Sequence, residues 1–135
     1  MPLQAVFYRE SDGNEPVLEV LNALPDRKRA VIENQLDRLN MQAPDEPPLP
    51  QPWTSQIEGE LREFRAHYGE EHYRVLYRRS GDLLVLLHMI RKTTSGVPRR
   101  DIAIAKERWI DFKRRMDAAR RTPPRAAGHD APRGI

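Results

Sequence analysis

Six arginines, Arg62, Arg65, Arg74, Arg78, Arg79 and Arg91, fall within residues 61–92 and are interleaved with Phe64, Tyr68, Tyr73 and Tyr77. A guanidinium group is planar, permanently charged and able to hold two phosphate oxygens at once. An aromatic ring offers its face to an unstacked base. A short stretch that carries both is suited to phosphate and exposed bases. For any single arginine, solvation of an exposed face is explanation enough; the clustered set points to a ligand. The same stretch divides into three strand-like runs, at about 57–66, 72–79 and 83–90. Gly69 and the cluster Ser80, Gly81 and Asp82 separate them, and such breaks predict antiparallel hairpins.

The totals agree with a polyanionic partner. The chain has 135 residues, the size of one domain with a real core. Its formal charge of +3 is unevenly placed. Residues 1–50 carry 5 Lys and Arg against 9 Asp and Glu, a net of −4, whereas residues 51–135 carry 18 against 11, a net of +7. The basic surface therefore belongs to the predicted sheet and the segments C-terminal to it. With no cysteine, disulfides, thiolate catalysis and Cys-based zinc sites are excluded. The four histidines have no ligand spacing with carboxylates, so no metal and no cofactor are expected. The longest apolar run, residues 83–90, is strand-sized and contains His88, so no membrane span is expected. The N-terminus lacks a basic region followed by an apolar core, which argues against a signal peptide and for the cytoplasm.

The remaining elements must position those arginines. Residues 5–9 (AVFYR) read as a short strand. Asn14 is placed to cap a helix with Pro16 in its first turn, continued by Val17, Val20, Leu21 and Leu24. Pro25 interrupts, and Asp26 is placed to cap a second helix to about Met41, with Ile32, Leu36 and Leu39 on one face. Five prolines in 43–52 predict a stiff connection over the surface, with Trp53 as a core anchor. The run LLVLLHMI is apolar at nearly every position and should be a central strand covered on both faces. After a loop at 93–97, Pro98 opens a helix whose face holds Ile102, Ala105, Trp109, Phe112, Met116 and Ala119. Residues 122–135 are rich in Pro, Gly, Ala and Arg without periodicity and are expected to be a disordered tail after a domain at 1–121. The expected class is α+β in the order β-α-α-β-β-β-α: a small, mainly antiparallel sheet with an N-terminal helical hairpin and a C-terminal helix.

Three segments in order, 59–65 (GELREFR), 73–77 (YRVLY) and 87–98 (LHMIRKTTSGVP), with the start of the last helix after them, resemble the RelE/ParE superfamily of toxin–antitoxin toxins. The nearest pattern is that of the HigB-like, phage-derived host-inhibition group. The resemblance covers about residues 6–116 and implies a RelE-like fold. It also implies an endoribonuclease that cuts mRNA on the ribosome, and a co-encoded antitoxin, expected to be of helix-turn-helix type, that neutralises it. Position by position, Arg65 matches the arginine ending the first motif, Arg74 that of the second, and Lys92 the first lysine of the third. Thr93 and Gly96 stand where further lysines are usual, and Ile90 where phenylalanine is common.

Metal-free RNA cleavage by a ribose 2′-OH needs a base for that proton, cations for the phosphoryl oxygens and an acid for the leaving 5′-oxygen. The planar, permanently charged fork of arginine suits the phosphate, which assigns Arg65 and Arg74 to it, with Arg91 in support and as a further candidate RNA contact. Lys92, His88, Tyr77, Tyr73 and His72 are candidates for proton transfer. Arg62, Arg78 and Arg79 are candidate RNA contacts. Several have a plainer alternative: His88 as a satisfied core histidine, Tyr77 as packing, Arg78 and Arg79 as solvent-exposed residues of a hairpin tip, and the neighbouring Glu63 as an ion pair holding Arg65. Two other functions stay open, a ParE-type toxin that binds a topoisomerase and a catalytically inactive binding module.

Overall fold

In the computed structural model, residues 2–50, 53–91, 96–116 and 123–128 are described. They form β1 (Gln4–Phe7), α1 (Pro16–Ala23), α2 (Asp26–Asn40), β2 (Thr54–Glu58), β3 (Leu61–Tyr68), β4 (Glu71–Ser80), β5 (Leu83–Arg91), α3 (Arg99–Met116) and β6 (Arg125–Ala126). The class is α+β. Six strands make one open sheet in the order β2-β3-β4-β5-β1-β6, antiparallel throughout except where β1 runs parallel to β5.

Two expectations about order need correction. The run expected as one strand over 57–66 is a hairpin, β2 and β3, because Gly59 adopts φ 57° and reverses the chain. The tail expected to be disordered from residue 122 supplies β6, which pairs with β1 and buries Ala126 and Ala127. It is tied down by bonds that composition does not reveal. The Ala127 amide donates to Ala5 O (2.8 Å), and Asn40 Nδ2 donates to Ala127 O (2.8 Å). Gly128 comes next at φ 110°, where an added Cβ would lie 2.4 Å from Asn40 Nδ2. The helix starts also differ. Neither Asn14 nor Asp26 caps a helix: Asn14 bonds Asp12, and α2 begins after Pro25, whose carbonyl accepts the Lys28 and Arg29 amides.

Each face of the sheet has its own core. On one, Val17 and Leu21 of α1 and Ile32, Leu36 and Leu39 of α2 meet Phe64, Tyr73, Val75, Tyr77 and Leu86. On the other, Ile102, Ala105 and Phe112 of α3 meet Val6, Leu61, Leu76, Val85 and Leu87. Each fully buried Leu or Ile contributes about 1.5–3 kcal/mol. As its apolar run predicts, β5 is internal and buried on both faces. It carries a bulge: Leu76 pairs with His88 but Tyr77 with Leu86. The extra residue, Leu87, has a carbonyl that Arg108 Nη1 of α3 takes at 2.9 Å. The bulge thus turns both Leu87 and His88 toward α3. Among the described residues no helix is long and apolar enough to cross a membrane.

Candidate functional site

Strand alternation sends Phe64 and Ala66 into the helical-hairpin core and sends Glu63 and Arg65 to the opposite face. Arg74 is the direct cross-strand partner of Arg65, so the two guanidinium groups share that face. Glu63 lies between them, with its side chain 1% exposed. Its Oε1 accepts from Arg65 Nε (2.8 Å) and Ser55 Oγ (3.1 Å), and its Oε2 lies 3.6 Å from Arg74 Nη1. A carboxylate this deep is costly without cations beside it, so the glutamate and the arginines fix one another. Arg74 is thereby held almost buried, while Arg65, 44% exposed, reaches outward.

Outward from this pair, at the end of the β3–β4 hairpin, is a cleft of about 530 Å³. From α2 come Asn34, Gln35 and Arg38; from the strands come Arg65, His67 and His72. Trp53 closes it, with the Arg38 guanidinium 4.8 Å from its ring centroid. Trp53 therefore lines the cleft and belongs to neither core, against expectation. His67 and His72 are cross-strand partners, both exposed, with ring centroids 5.8 Å apart.

The other residues singled out in the sequence scatter. Tyr77 is 3% exposed inside the helical-hairpin core, packed against Phe64, on the far side of the sheet from Arg65 and Arg74. Arg62 is its cross-strand partner and so shares that far face, where it donates to Thr54 Oγ1 at 2.9 Å. Arg91 lies 5.9 Å from the Tyr73 ring on the same far face. Arg78 stacks over Trp109 (4.4 Å) and pairs with Glu60 (2.7 Å), while Arg79 donates to the carbonyls of Gly81 and Pro44. His88 has both ring nitrogens engaged: Nε2 meets Asp101 Oδ1 at 2.7 Å and Nδ1 meets Arg108 Nη1 at 3.1 Å. That network assigns its proton to Nε2 and ties β5 to α3; neither nitrogen is open to a substrate. Tyr73 donates to Glu71, and burial together with that bond pushes its hydroxyl up to about 12, which keeps it neutral at physiological pH. Lys92, the third-motif lysine, lies outside the described residues.

A family model described as phage-derived protein Gp49-like (DUF891) matches residues 19–110, about two thirds of the chain. The chain belongs to that family. The Gp49-like proteins are toxin-like proteins of the RelE/ParE type. A search of curated proteins finds no match. The matched span runs from α1 into α3, so it contains Glu63, both arginines and every residue of the cleft. Among the described residues of this Gp49-like protein, no three His, Asp or Glu side chains gather where one metal ion would bind. His67, Trp53 and Arg38 had no place in the sequence-based site. Their signal was present for the histidine: His67 and His72 flank the Gly69 turn symmetrically, so a tight hairpin sets them opposite each other.

Proposed function

We propose that this Gp49-like protein is the HigB-like toxin of a toxin–antitoxin pair, an endoribonuclease that cleaves mRNA on the ribosome without a metal ion. The reading is supported above all by one observation: Arg65 and Arg74 stand opposite each other on adjacent strands, braced by the buried Glu63. A phosphate that is attacked by the neighbouring 2′-OH gathers negative charge on its non-bridging oxygens. Two guanidinium groups fixed in advance stabilise that charge with little reorganisation, and such contacts are worth most where water is excluded. The O2′–P bond forms as the P–O5′ bond breaks, leaving a 2′,3′-cyclic phosphate and a 5′-hydroxyl. The decoding site holds and splays the message, and so supplies the orientation that a small protein cannot.

The test is a reconstituted translation system with purified protein. Wild-type protein cleaves the translated message, and Arg74→Ala leaves it intact. A message that stays intact with wild-type protein overturns the reading. The partner is an antitoxin from the adjacent gene, of helix-turn-helix type, which silences the protein by masking the arginines or by blocking the ribosome. Co-expression of the two genes yields one complex on purification; two separate proteins would remove this part.

A further inference from the structure

Phosphate-gripping arginines do not move protons. Of the described residues expected to do so, Tyr77 is in the opposite core, His88 is locked between Asp101 and Arg108, and Tyr73 is bonded to Glu71, whereas His72 lines the cleft beside Arg65. The cleft beside Arg65 holds two unused imidazoles. We propose that this cleft receives the ribonucleotide flanking the scissile phosphate, and that His67 and His72 are the general acid–base pair of the cleavage. The inference rests on the ribonuclease reading and adds to it the groups that transfer protons.

Four observations carry it. The rings are 5.8 Å apart and make no hydrogen bond to each other, so each is available to one of the two ester oxygens of a single phosphodiester. Both side chains are exposed, and both line the same cleft as Arg65, whose Nε is taken by Glu63. The cleft volume of about 530 Å³ is that of a small-molecule site. Its far wall carries the means of holding a base: Trp53 with Arg38 stacked on it offers a flat surface, and the side-chain amides of Asn34 and Gln35 offer donors and acceptors to a base edge. The charged side chains that line the cleft with the two rings are Arg38 from α2 and Arg65 from β3, and Glu71 of β4 adjoins His72 in the same hairpin; no carboxylate lines the cleft itself among the described residues.

In the reaction, one imidazole in its neutral form takes the 2′-OH proton as the O2′–P bond forms. The other, as imidazolium, gives its proton to O5′ as the P–O5′ bond breaks. Imidazole suits both tasks because it exchanges a proton near neutral pH.

The experiment measures message cleavage on translating ribosomes for wild type, His67→Gln and His72→Gln across pH 5–9. Each variant cleaves about 10²–10⁴-fold more slowly, and each loses one limb of a bell-shaped profile. A message with sulfur in place of O5′ at the mapped cleavage site needs no acid, because thiolate leaves unprotonated. It restores the rate of one variant and not of the other, a rescue that a purely structural role would not produce. Circular dichroism confirms that both variants fold. Variants that match wild type in rate and profile overturn this inference and leave the ribonuclease reading standing, whereas wild-type protein that leaves the message intact overturns both.

Discussion

The same strands present two unlike faces. Under α1 and α2 the central side chains of β3, β4 and β5 are apolar or aromatic, with Phe64, Ala66, Val75, Tyr77 and Leu86 all buried, and Arg62 and Arg91 stand toward the strand ends. Under α3 the apolar run of Leu61, Leu76, Val85 and Leu87 gives way to Glu63, Arg65 and Arg74. The faces differ in what covers them among the described residues: α2 packs on β3, whereas α3 packs mainly on β5 and β4, and Arg65 of β3 reaches solvent. A buried face selects for volume, and a half-covered one can keep charges that water partly solvates. The first face is a core, while the second combines a smaller core with the charged cluster on which the proposed ribonuclease reading rests.

Substitutions matched across the two faces test this division. The largest effect is on stability. Tyr77→Ala empties a buried aromatic site and costs about 3–5 kcal/mol in urea unfolding. Tyr77→Phe leaves the rate of message cleavage at the wild-type level, and a collapse of that rate would return Tyr77 to the chemistry. Next, Arg65→Ala lowers cleavage about 10²–10³-fold, the equivalent of losing one donor to a developing oxyanion. Arg62→Ala, on the opposite face, changes it little; equal losses from both would mean that the faces do not divide the work. Smaller is Glu63→Gln, which keeps shape but removes the charge that braces both arginines. It lowers stability by about 1–3 kcal/mol and cleavage along with it. An unchanged unfolding midpoint would show that the arginines hold their positions without the brace.

How far this division was legible in the sequence depended on the range of the contact. Periodicity gave α1, α2, α3 and β5, because each buries a continuous apolar face. Arg65 and Arg74 came as a pair only through the motifs of the family resemblance; that they share a face depends on the β3–β4 register, which the Gly69 turn sets. Tyr77 and Arg74 are three residues apart on one strand, so alternation alone puts them on opposite faces. That argument was available and counts against pairing them in one site. The Leu87 bulge was not legible, since nothing local marks it, and without it His88 would point into the other core. Nor was β6, a two-residue strand fixed by Gln4, Asn40 and Ala5, residues distant in sequence.

The smallest predicted effect again contrasts the faces, because each holds one tyrosine whose hydroxyl is pushed up to about 12. Tyr8, on the α3 face, is raised by burial and then by its 2.7 Å bond to Asp111; Tyr73, on the helical-hairpin face, by burial and then by its bond to Glu71. An unfolded tyrosine loses its proton near 10, so the folded state binds more protons than the unfolded state between about pH 10 and 12. The contribution of these tyrosines is therefore complete below pH 10 and is lost as pH rises toward 12. Urea midpoints measured from pH 9 to 12 fall in wild type and fall less in Tyr8→Phe and in Tyr73→Phe. A double variant declining as steeply as wild type would refute the assignment. Salt separates the two. Burial raises the Asp111 carboxyl, but bonds from Tyr8, Arg115 and Arg114 outweigh it and hold it low, within a network partly enclosed by α3. Glu71 is held low by the Tyr73 hydroxyl and then by Lys28, in a pair open to solvent. Added salt screens the more exposed pair more strongly, so high salt weakens the Glu71–Lys28 link more than the Tyr8–Asp111–Arg115 network.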